Sequence, residues 1–243
     1  MITLRRDTER RHVQRGKQDI RLTFYPNERP GPPTGGFGIL AGFAEMRLPP
    51  GGVFAYSPGE EAEIVTYAYK GALAQEYSAG SSGVVQAGEF QRLTTGRGVR
   101  PKETNPSRTN WSHIFRIYLH PSEPGLDCVQ DHRRFAAAQR HNTLRVVASP
   151  DGRMGSLRIL QDAVISSSVL DPGRHLVDEL LPGRSAWLHV IHGEVTLQDL
   201  DLTQGDGVGV ASEPSVSLTA QESSEILLVD LGPAPNRPRE GGP

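Results

Sequence analysis

Short apolar runs broken by glycine and proline set the rhythm of this chain. Residues 64–69 (IVTYAY) form a β-branched and aromatic run stopped by Lys70-Gly71, the pattern of a strand followed by a turn. Residues 114–119 (IFRIYL) form another, ended by His120-Pro121. Residues 187–191 (WLHVI) stop at His192-Gly193, and Val195-Thr196-Leu197 follows at once. Residues 226–229 (ILLV) close the folded part ahead of Gly232-Pro233. Strands at this spacing, with few long segments of helical period, predict an all-β sandwich or barrel. The best helix candidate is residues 133–139 (RRFAAAQ), in a connection.

A weak internal repeat sharpens the picture. Residues 67–73 (YAYKGAL) are followed by Gly88-Glu89-Phe90, and residues 189–195 (HVIHGEV) by Gly205-Asp206-Gly207-Val208. Each half reads as strand, glycine turn, strand, second turn and strand, which predicts two copies of one β unit. The boundary falls in the polar segment 126–142, leaving units at 1–125 and 143–232. The tail 233–243 (PAPNRPREGGP) has the composition of a disordered segment.

Composition narrows the function classes. A net charge of −2 gives no general attraction to nucleic acid or an anionic membrane. The single cysteine, Cys128, cannot form an intramolecular disulfide, which favours a reducing compartment. The first residues, MITLRRDTERR, lack the apolar core of a signal peptide, and no run approaches the ~20 residues of a membrane-spanning helix. The expectation is a soluble, cytoplasmic protein, monomeric or homodimeric.

Several segments together carry a family resemblance. Arg11-His12, Gly16, Asp19, Thr23-Phe24, residues 63–67 (EIVTY), 87–91 (AGEFQ), 96–100 (GRGVR) and 103–107 (ETNPS) resemble the first half of a pirin. Residues 133–135 (RRF), 149–152 (SPDG), 155–157 (GSL), Gln161-Asp162, Trp187, Gly193 and Asp206-Gly207 resemble its linker and second half. The likeness covers nearly the whole folded chain and implies a bicupin: two stacked double-stranded β-helix (jelly-roll) barrels with a short helical connection. In pirins the first barrel holds one iron through a His-x-His and a His-x-Glu pair, and some members are similar to quercetin 2,3-dioxygenases.

The matching positions here are Ser57, Gly59, Pro101 and Glu103. Serine is a poor neutral ligand, glycine offers no side chain and proline no donor atom, so one carboxylate remains of four ligands. No histidine lies anywhere between His12 and His113, whatever the register. No cofactor is therefore expected where the family would use iron. Replacement ligands could come from Glu60, Glu61, Glu63 or His113, but strand alternation sends Glu60 and Glu61 to opposite faces.

A cupin barrel keeps a concave interior with or without a metal. Tyr56, Ser57, Gly59, Pro101, Glu103, His113, Phe115 and Ile117 are its candidate lining, with Pro58-Gly59 as a lip. In that setting Glu103 would need a donor such as His113 or Arg100 to stay ionised. Elsewhere, Cys128 with His132, His189 with His192, Gly96-x-Gly98 and residues 78–83 (SAGSSG) read as incidental or structural. Arg5-Arg6 and Arg10-Arg11 read as a solvated edge. The expected function is binding, of a small molecule in the barrel or of a protein partner, without quercetinase activity; the alternative is a pirin-like oxygenase with a rebuilt metal site.

Overall fold

The computed structural model describes residues 1–24, 36–54, 61–77, 82–95 and 102–233. It is almost entirely β. Two sheets of seven strands and two of four make up two barrels, each pairing a large sheet with a small one. In the first barrel the large sheet runs from Arg11–Arg15 at one edge to Val129–Arg134 at the other, with Ser112–Leu119 and Glu63–Lys70 at its centre. In the second, Ser185–His192, Ser224–Leu231 and Ala163–Leu170 hold the central places.

Three apolar clusters fill the molecule. One lies inside the first barrel, with Ala44, Met46, Leu73, Ile114 and Tyr118. A second lies inside the other barrel, around Leu188, Val190, Val208 and Leu228. The third is shared: Phe43, Tyr67, Phe90, Phe115 and Ile117 of the first large sheet pack against Ile165, Trp187, Leu227 and Val229 of the second. Each central strand is thus buried on both faces, which is why these runs are continuously apolar rather than alternating.

The internal repeat is real and has a common construction. Gly71 (φ +72°) joins Glu63–Lys70 to Ala72–Glu76, and Gly193 (φ +82°) joins Ser185–His192 to Glu194–Leu197. Ser112 Oγ donates to Ala72 O at 2.6 Å; Ser224 Oγ donates to Glu194 O at 3.0 Å. A Cβ on Gly71 would meet Trp111 O at 2.6 Å, and one on Gly193 would meet Ser223 O at 2.5 Å, so both turns require glycine for space as well as for φ.

The unit boundaries differ from the sequence-based ones at both ends. Ile2–Arg5 pairs with Gly207–Ala211, so the first strand of the chain completes the second barrel's sheet. Val129–Arg134, placed in the linker by its polarity, is an edge strand of the first sheet, paired with Glu89–Thr94. The helix is one turn, Ala137–Arg140, later and shorter than the 133–139 candidate because Arg133 and Arg134 belong to that strand. Residues 234–243, expected to be disordered, lie outside the described residues.

The basic N-terminal segment is a solvated edge only in part: Arg11 is exposed, but Arg10 is buried. Arg6 bonds Asp206 at 2.7 Å, and the fully buried Arg10 side chain bonds Glu45 at 2.7 Å and Asp7 at 3.1 Å. The segment crosses from one barrel to the other, and these ion pairs anchor the crossing.

Candidate functional site

The interior of the first barrel holds a polar network at the end where the small sheet carries Lys102–Thr104. Glu103 sits on this strand opposite Phe54 on one side and Gln75 on the other. Its side chain is buried, and Gln75 Nε2 donates to Oε1 at 2.7 Å. Arg116 reaches the same oxygen through Nη2 from the central strand of the large sheet, and its Nε lies 3.3 Å from Thr66 Oγ1. The Arg116 guanidinium also lies over the Phe54 ring, 5.0 Å from its centroid. Burial alone would lower the Arg116 pKa, but the Glu103 carboxylate and Tyr118 outweigh it and hold the guanidinium charged.

The network continues through Gln75. Tyr77 OH donates to Gln75 Oε1 at 3.1 Å, and Gln91 Nε2 to the same oxygen at 2.5 Å. Burial, followed by the charge on Glu103, raises the Tyr77 phenol, so it remains a neutral donor. Among the described residues the donors to Glu103 are thus Arg116 and Gln75. Arg100 lies outside the described residues, and His113 does not approach.

His113, Phe115 and Ile117 were expected to share this interior. They lie on the other face of their strand, because alternation sends Ile114, Arg116 and Tyr118 inward and their neighbours toward the second barrel. Phe115 and Ile117 belong to the shared core. His113 bonds Glu45 through Nε2 at 2.8 Å, and Glu45 also takes Arg10. Burial would raise the Glu45 carboxyl; His113 and Arg10 overcome it and hold the group far below the usual carboxylate range. Tyr56, Ser57, Gly59 and Pro101, with Pro58 and Glu60, lie outside the described residues.

The other replacement ligands are engaged elsewhere. Glu61 is half-buried and accepts from Gly125 N at 2.6 Å. Glu63 accepts from Thr94 Oγ1 at 2.9 Å on the face turned away from the barrel interior, where burial raises its pKa. Among the described residues, no three His, Cys, Asp or Glu side chains are grouped to hold a metal ion. Cys128 is exposed and free. His189 is fully buried in the shared core, its ring 4.3 Å from that of Phe43, and neither nitrogen has a hydrogen-bond partner among the described residues.

Arg116 is the residue that pattern reading passed over. A lone charge inside IFRIYL was the available signal, since a charge in a doubly buried strand needs an internal partner.

This architecture is that of a two-domain cupin. The Pirin family model matches residues 35–119, and the model for the quercetinase C-terminal cupin domain matches residues 146–231. The chain belongs to the pirin family. It is 34% identical to quercetin 2,3-dioxygenase of Escherichia coli (strain K12) over 233 residues, covering 96% of this chain and all of that one. A pirin-like protein of Caulobacter vibrioides is 28% identical over 197 residues, 80% of this chain and 84% of its own. The crystal structure of the bacterial pirin YhhW in complex with nickel(II), from Escherichia coli, superposes with a TM-score of 0.88 at 33% identity, covering 96% of this chain and all of that one. No helix among the described residues is long and apolar enough to cross a membrane.

Proposed function

We propose that this pirin-family protein works by binding, not by metal-dependent oxygenation. The observation that carries the reading is the Glu103 carboxylate, engaged by the Arg116 guanidinium and by Gln75 inside the first barrel. In the relatives' pattern that carboxylate belongs to a metal shell; here an internal cation already neutralises it. Ser57, Gly59 and Pro101 complete a donor set that cannot hold a transition metal against water. The residues therefore do not fit the family's metal. A fold readily outlives the chemistry once grafted on it. The occupant is a small molecule or a protein partner, with no direct role for nucleic acid or membrane, and the single cysteine suits the cytoplasm.

Likeness to quercetin 2,3-dioxygenase along the whole chain favours a second reading, a dioxygenase with a rebuilt metal site. Against it, His113, Glu61 and Glu63 are committed to Glu45, Gly125 and Thr94. Oxygen uptake with quercetin, measured on iron-loaded and nickel-loaded protein, separates the two. No turnover is expected in either sample; turnover that depends on added metal would overturn the binding reading.

A further inference from the structure

A cleft of about 580 Å³ opens where the two barrels meet. Small-molecule sites commonly measure about 300–1,000 Å³, so this is enough for one compact ligand. The first barrel contributes Lys17, Arg47, Lys70, Tyr69 and Trp111 to its walls, and the second contributes His192. Glu103 is not part of it.

The charges in the cleft are unbalanced. Three permanent cations, Lys17, Arg47 and Lys70, face one carboxylate, Asp19. Asp19 is already engaged by His12 at 2.7 Å, with Arg21 at 3.9 Å. Among the described residues neither Lys17 nor Lys70 has an ion-pair partner, and Arg47 reaches Glu45 only at 3.4 Å. Like charges gathered around a concavity focus the field and favour an anion there.

An aromatic surface accompanies the charge. Trp111, at the mouth of the cleft, is 49% exposed. Tyr69 stands edge-on to His113 at 5.2 Å, with Lys70 Nζ 4.9 Å from its ring centroid. Exposed indole beside unpaired ammonium groups offers a stacking plane and charge partners together.

We propose that this inter-barrel cleft binds a small aromatic carboxylate, whose ring packs on Trp111 and Tyr69 while Lys17, Lys70 and Arg47 receive the charge. The site lies outside the barrel interior, so it stands whether or not the first barrel takes a metal.

The test is isothermal titration calorimetry with 1-naphthoate, with 1-naphthalenemethanol as the uncharged analogue and inorganic phosphate as the ring-free anion. Trp111 fluorescence gives a second readout, since the only other tryptophan, Trp187, is fully buried. Saturable 1:1 binding of 1-naphthoate is expected, with both controls weaker. Lys17→Ala/Lys70→Ala should weaken it about fivefold to tenfold, the size of two exposed ion pairs. Both lysines are exposed, so the unfolding midpoint should hold, and Lys17→Arg/Lys70→Arg should retain binding. Trp111→Ala should weaken 1-naphthoate but leave phosphate unchanged. No saturable binding at millimolar 1-naphthoate, equal affinity for the alcohol, or undiminished affinity in the double alanine variant would each overturn the proposal.

Discussion

Arg116 donates to Glu103 across the interior of the first barrel, from one sheet to the other, and both side chains are almost wholly removed from solvent. A buried ion pair of this kind adds little over an apolar pair, yet losing one partner strands the other's charge. Arg116→Met should therefore cost about 3–5 kcal/mol. Glu103→Gln should also destabilise, leaving the guanidinium without a counter-charge, beside Thr66, Tyr118 and Phe54. Arg116→Met/Glu103→Gln should cost clearly less than the two singles combined, by urea unfolding. Additive costs would show that the two groups do not depend on each other.

A second buried cation ties the barrels together. Arg140, on the one-turn helix, donates to Glu225 at 2.6 Å, to Ser167 at 2.8 Å and to Tyr67 OH at 3.1 Å, and Tyr67 OH donates to Glu225 at 2.6 Å. Its guanidinium lies 5.3 Å from the Tyr67 ring centroid. Arg140→Met keeps much of the apolar stem but leaves Glu225 without its cation. Thermal unfolding should show a loss of about 3 kcal/mol; a change under ~0.5 kcal/mol would mean the shared core alone holds the barrels.

Much of this architecture was legible because the strands end on glycine. Lys70-Gly71 and His192-Gly193 marked equivalent turns, and the structure closes both with a serine from the adjoining central strand. Which way the side chains point was not legible along residues 112–119. That strand is buried on both faces, so no alternation of polarity tells the barrel interior from the inter-barrel face. Phe115 and Ile117 were misplaced for that reason. Val129–Arg134 read as linker because it is exposed along its whole length, as an edge strand can be. The pairing of Ile2–Arg5 with Gly207–Ala211 spans about two hundred residues, and no local pattern encodes it. Within the candidate site, the residue types at Ser57, Gly59, Pro101 and Glu103 are read directly from the chain, whereas the partner of Glu103 depended on that same hidden parity.

The glycine turns offer a controlled comparison. Gly16→Ala places its Cβ in open space at φ +60°, so its cost should be the conformational one, about 1–3 kcal/mol. Gly193→Ala adds a clash with the backbone at Ser223 O, 2.5 Å away. Chemical denaturation should find Gly193→Ala the more damaging of the two. Equal costs would mean that the turn can shift freely.

Acid should loosen the inter-barrel core. Burial, then the charge of Arg10, hold His189 neutral, well below its ordinary pKa, against an opposing pull from Glu45, and His113 adds a smaller push the same way as Arg10. The unfolded chain takes up that proton near pH 6.5, so stability should fall as pH drops through and below that value. Glu45, held far below the usual range among Arg10, Arg47, Arg21 and His113, adds a second loss as pH falls below about 4.5. His189→Leu removes two unsatisfied buried nitrogens. It should gain about 1 kcal/mol at pH 7 and more at pH 5.5, by unfolding curves at both values. A variant that is less stable and keeps the wild-type slope would show that His189 has a hidden partner.

The most direct measurement is the metal content of protein purified without an affinity tag, by elemental analysis before and after incubation with ferrous iron and dialysis. With Glu103 held by Arg116 and Gln75, both samples should contain far less than one metal ion per chain. About one tightly held iron or nickel per chain would contradict this, and would mean that the barrel gives up the Arg116 pair to build a metal centre.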